Sequence, residues 1–92
     1  MGLFSKDKDV LQTFKYGIWY KILIKEDTIT FKEIGKSIIL PRKSLKGIVV
    51  EGNLMMSTLT FLGEGTILGI VKDVPKPLAI RIQSDMSALI NQ

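Results

Sequence analysis

The sequence predicts a mainly β domain: seven antiparallel strands closed by a C-terminal α-helix, with a short N-terminal appendage. Three observations carry this. Stretches that alternate apolar with polar residues recur roughly every ten residues, the spacing of a small all-β domain. Short Gly-, Asn-, Asp- or Pro-containing segments separate them, and short connections favour antiparallel neighbours. At the end of the chain the apolar period changes from two to that of a helix.

Residues 1–6 read as a loose tail. From Asp7 to Tyr16 the spacing of Val10, Leu11 and Phe14 predicts a short helix, with Asp7 placed to cap it and Gly17 to stop it. The expected organisation is therefore an appendage over residues 1–17, docked through those three apolar side chains outside the β core. The β domain is expected over residues 18–92.

In Ile18–Lys25, Ile18, Tyr20, Ile22 and Ile24 share one face and Trp19, Lys21, Leu23 and Lys25 the other. Glu26-Asp27 turns the chain into Thr28–Phe31, making a hairpin. Gly35 marks the next turn, and Ser37–Leu40 is a short strand ended by Pro41, which cannot donate to a central ladder. Leu45–Glu51 holds the β-branched run Ile48-Val49-Val50. Gly52-Asn53 returns the chain through Met55–Leu62, and Gly63-Glu64-Gly65 leads into Thr66–Val71, where Gly69 breaks the pattern as a bulge does. Pro75 and Pro77 stiffen the connection into a last strand, in which Leu78, Ile80 and Ile82 alternate with Ala79, Arg81 and Gln83. Ser84 is placed to cap a helix over residues 84–91, with Met86, Leu89 and Ile90 on its apolar face.

Ninety-two residues make one domain, and 46% apolar residues argue against disorder. The chain has no cysteine and no histidine, so it lacks a thiol nucleophile, the commonest metal ligand and the commonest acid–base group near neutral pH. No apolar run is long enough to span a membrane as a helix, and charged residues interrupt the start where a signal peptide would be apolar. Met1-Gly2 lacks the Ser or Thr that myristoylation wants four residues later. A cytoplasmic location is the expectation.

The net charge of +4 is uneven: residues 1–46 carry +5 and residues 47–92 carry −1. Lys32, Lys36, Arg42, Lys43 and Lys46 hold the basic excess and form the candidate anion-binding set, with Arg42-Lys43-Ser44-Leu45-Lys46 the densest run. Only Phe31 interleaves an aromatic ring with them, which disfavours nucleic acid and leaves a weak attraction to a membrane surface. Trp19 with Tyr16 and Tyr20, flanked by Lys15 and Lys21, forms the only aromatic cluster. Core or subunit interface is the expectation for it, ahead of base stacking. Gly63-Glu64-Gly65-Thr66-Ile67-Leu68-Gly69 has the wrong spacing for a nucleotide loop and precedes a strand, so it reads as a hairpin turn. The carboxylates fall in turns and form no catalytic pair or metal set, so no catalytic, cofactor or metal residues are expected and the chain reads as non-enzymatic.

Three passages carry a family resemblance: the hairpin Ile18–Phe31, the step Ser37-Ile-Ile-Leu-Pro-Arg-Lys-Ser-Leu45 into Gly47-Ile-Val-Val50, and Leu78-Ala-Ile-Arg-Ile82 running into Ser84–Asn91. Together they resemble a small bacterial pleckstrin-homology-like domain. The resemblance implies a seven-stranded antiparallel barrel or sandwich closed by a C-terminal helix, and a non-enzymatic scaffold. It also implies a peptide groove beside the fifth strand and the helix, which would be lined by Ser57, Leu59, Phe61, Met86, Leu89 and Ile90. The chain departs from lipid-binding members in its first hairpin loop, read as the short acidic Glu26-Asp27, and in a helix without tryptophan. The expected partners are a protein or peptide, or a second copy of the chain, because Ile48-Val49-Val50 and Ile67–Val71 are apolar on both faces. The alternative is a weak binder of anionic surfaces, lipid head groups or nucleic acid, through the basic loop.

Overall fold

The computed structural model describes residues 10–91. The tail expected over residues 1–6 and the start of the expected N-terminal helix lie outside them. Among the described residues the chain is mainly β, with seven antiparallel strands in two sheets and a C-terminal helix. It divides into two compact units, the first ending at Lys43 and the second beginning at Ser44.

The first unit is a four-stranded meander: β1 (Gln12–Tyr16), β2 (Tyr20–Ile24), β3 (Thr28–Glu33) and β4 (Lys36–Pro41), each paired with the next. Alternation sorts its side chains. Phe14 lies opposite Ile22, Ile22 opposite Phe31 and Phe31 opposite Ile38; in a second row Ile24 lies opposite Ile29 and Ile29 opposite Leu40. Ile22, Ile24, Ile29, Phe31 and Leu40 on this face are buried, as is Tyr16. Phe14 stacks on Tyr16 with ring centroids 6.5 Å apart, and Tyr20 tilts against Phe31 at 5.9 Å. Pro41 ends β4, an edge strand of this sheet, where its missing N–H costs no ladder bond.

A single 3-10 turn, Arg42–Ser44, carries the chain across the boundary into the second unit. This unit continues as a three-stranded meander, β5 (Gly47–Gly52), β6 (Met56–Gly63) and β7 (Thr66–Pro75), and ends in α1 (Lys76–Ile90). The inner face of β6 presents Ser57, Leu59 and Phe61, all buried, and α1 lies against β5 with further contact to β6 and β7. Ala79, Ile82 and Met86 are the fully buried residues of α1, spaced by three and four as one helical face requires. Gln83 Nε2 donates to Ile48 O at 3.0 Å, pinning the helix to β5. Gly52 is required where it stands: its φ is +139°, and a Cβ there would collide with the carbonyl oxygen of Met56. Each sheet is open, so these pairings form no closed barrel.

Three sequence expectations are corrected. The stretch expected as a helix before Gly17 holds β1 instead, paired along its length with β2. Phe14 and Tyr16 share the buried face of a sheet, a period of two that the Val10, Leu11 and Phe14 spacing masked. Tyr20, not Ile18, opens β2, and Gly17 (φ 63°) starts a turn rather than ending a helix. The first hairpin is therefore Gln12–Ile24, and Glu26-Asp27 is the second turn. At the other end, the expected strand over residues 78–83 is the first half of α1, and Ser84 is exposed within the helix rather than capping it. Pro77 falls in the first helical turn, where no N–H is needed.

Candidate functional site

The register of the first sheet sets basic residues side by side. Lys15 on β1 lies directly opposite Lys21 on β2, Lys21 opposite Lys32 on β3, and Lys32 opposite Ser37 on β4. All belong to the face opposite the buried one. Directly opposed side chains have Cβ atoms about 4.5–5.5 Å apart, and like charges in that position repel. None of the three lysines makes an ion pair with a described residue. Such a row costs the fold stability, so a bound anion that neutralises it would be stabilising.

The row lies one residue in from two hairpin tips at the same end of the sheet. The β1–β2 turn exposes Ile18 (85%) and Trp19 (53%), and the β3–β4 turn exposes Ile34 (65%). Lys15, Lys21 and Lys32 line a surface cleft of about 480 Å³ together with Ile18, Trp19 and Ile34. The same lysines line an adjoining hollow of about 440 Å³ with Val10, Thr13 and Leu23. Chemically this is a short cationic strip rimmed by the exposed side chains of Ile18, Trp19 and Ile34.

The five basic residues singled out from the sequence do not form one patch. Lys32 belongs to the row. Lys36 starts β4 beside Glu33, its Nζ 3.7 Å from the carboxylate. Arg42 and Lys43 follow the other end of β4, roughly 20 Å away for a six-residue strand. There Arg42 braces the β2–β3 turn, its guanidinium donating to Lys25 O at 2.9 Å and its backbone N–H to Asp27 O at 2.9 Å. Lys43 is exposed in the 3-10 turn; Lys46 is exposed in the second unit and fixed through its backbone N–H to Leu62 O. Sequence reasoning did not include Lys15 and Lys21 in its candidate anion-binding set. The signal was there: a hairpin centred on Gly17-Ile18-Trp19 puts Lys15 across from Lys21.

The peptide groove is closed. Ser57, Leu59 and Phe61 lie on the central strand of the second sheet, paired on both sides, so no strand can add beside them. They are buried together with Met86, while Leu89 and Ile90 at the end of α1 are half-buried. The Ser57 hydroxyl is buried with no hydrogen-bond partner among the described residues, so it is not presented to a ligand. Of the aromatic cluster, Tyr16 is buried in the core, whereas Trp19 is a turn residue, about half exposed, and not part of the core.

Among the described residues no three His, Cys, Asp or Glu side chains converge as a metal site would need, and no helix is long and apolar enough to cross a membrane. No protein-family model, curated protein or solved structure matches this chain.

Proposed function

We propose that the chain is a non-enzymatic binding module that docks on anionic membrane surfaces through the hairpin tips of its first sheet. The observation that carries this is the Lys15–Lys21–Lys32 row beside exposed Trp19, Ile18 and Ile34. Lysines near an anionic bilayer contribute about 1 kcal/mol each, so the row supplies about 3 kcal/mol, roughly a hundredfold in affinity. Tryptophan favours the interfacial layer, where its ring is apolar and its N–H stays hydrated. A row of lysines alone would suit any polyanion; the apolar tips favour a bilayer. Seven strands followed by one helix is also the element order of the pleckstrin-homology superfold, and this supports a PH-like module. Its first hairpin, now Gln12–Ile24, is flanked by lysines rather than acidic, which removes the sequence-level objection to head-group binding there.

Trp19 is the only tryptophan, so intrinsic fluorescence reports on the site directly. With phosphatidylserine-containing vesicles at low salt, the emission should shift to the blue and the protein should pellet with the vesicles. Neutral vesicles and high salt should abolish both effects. Failure to pellet with anionic vesicles at low salt overturns the proposal, and so does a mobility shift with nucleic acid under conditions where vesicles are ignored.

A further inference from the structure

The outer face of the second sheet carries exposed apolar side chains and few charges among the described residues. One row crosses it as Val49, Thr60 and Ile70, and the next as Gly47, Leu62 and Ile67. Val49, Ile70 and Ile67 are 37%, 48% and 56% exposed. The row on the other side of Thr60 holds the face's charges. Glu51 on β5 lies opposite Thr58. On β7 a bulge sets Lys72 and Asp73 against Thr58, with Asp73 taking the extra position at φ 60°. Lys72 follows buried Val71 and so falls on the outer face. Glu51 and Lys72 are both exposed and neither pairs with a described residue.

We infer that this face self-associates, taking a second copy of the chain in a two-fold, sheet-on-sheet dimer. The pattern is complementary to itself. A two-fold axis running along β6, in the plane of the interface, lays β5 of one copy over β7 of the other and keeps each row facing its own counterpart. Val49 then meets the partner's Ile70 on both sides of a furrow made by the smaller Thr60. The same operation sets Glu51 against the partner's Lys72, twice by symmetry. An isologous contact requires this reciprocity, in which one residue meets a second and the second meets the first. Sheets stacked with near-aligned strands are an ordinary packing mode. Three strands about 4.8 Å apart give a contact of only a few hundred Å² per copy, below the ~800 Å² of a standard interface, so the dimer is a weak, reversible one.

Sedimentation velocity across a concentration series tests this. The wild-type chain should move from monomer to dimer as concentration rises. Glu51→Lys alone and Lys72→Glu alone should each remain monomeric at concentrations where the wild type pairs. Mixed in equal amounts they should pair again, because a dimer of one of each restores both contacts. Ile70→Asp should remain monomeric alone and in every mixture. All three positions are exposed, and thermal melts identify any variant that has lost its fold. A wild type that stays monomeric to its solubility limit overturns the inference. So does a dimer that survives both charge reversals, or a mixture no more associated than its two components.

Discussion

Three lysines held directly across from one another are a cost that the first sheet carries at single-residue scale. Each Lys–Lys neighbour pair is unfavourable where an uncharged or opposite pair would gain about 0.2–1 kcal/mol. Lys21 stands in the middle of the row and takes part in both pairs. Replacing it with threonine removes both repulsions and adds a residue well suited to strands. Lys21→Thr should therefore raise stability by about 0.5 kcal/mol in urea unfolding. The same change should weaken binding to anionic vesicles roughly fivefold, the value of about one surface lysine. A gain in stability coupled to a loss in binding is the mark of a site that the fold tolerates for its ligand. A variant that loses both would show Lys21 to be structural.

At the scale of elements, the end of the chain turns on one distinction. Over residues 78–83 a strand and a helix place different side chains inside. A strand puts Ile80 and Ile82 on the same face; α1 buries Ile82 completely and leaves Ile80 49% exposed. Ile82→Ala should cost about 2–5 kcal/mol, as truncation of a core side chain does. Ile80→Ala should stay within about 0.5 kcal/mol of wild type. Equal losses would restore the strand. Six residues of alternation were too few to separate the two periods, and the longer run Ala79, Ile82, Met86 was the better guide. The other misread element, β1, failed for a similar reason: Val10, Leu11 and Phe14 fit a helix locally, and only the pairing with β2 decides for a strand. The elements between were legible because alternation and turn residues agreed there, as at Gly35, at Gly52-Asn53 and at Gly63-Glu64-Gly65. The count of seven strands held through two opposite errors, one strand gained at the start and one lost at the end. The candidate site was barely legible. Lys15, Lys21 and Lys32 are six and eleven residues apart, and only hairpin register brings them into one row.

At the scale of the whole molecule, the excess of positive charge offers a simpler account of any affinity for anionic surfaces. A basic protein is drawn to anions by its summed field, whichever residues supply it. Position and net charge can be separated because the chain has exposed basic residues on and off the row. Reversing Lys15, Lys21 and Lys32 to glutamate gives one variant; reversing Lys36, Lys43 and Lys46 gives another of identical net charge. Summed-field attraction predicts equal losses for the two. A local row predicts that the first variant no longer pellets with anionic vesicles and that its Trp19 emission stays put. The second should retain a blue shift at low salt, with affinity reduced because long-range attraction has reversed. Salt sharpens the comparison. Screening shortens the reach of separated charges to about 8–10 Å near physiological ionic strength, so raising salt from a low value to that level should narrow the gap between the second variant and wild type. The first variant should not recover at any salt concentration. Two binding curves that coincide would assign the affinity to net charge and remove the row as a site.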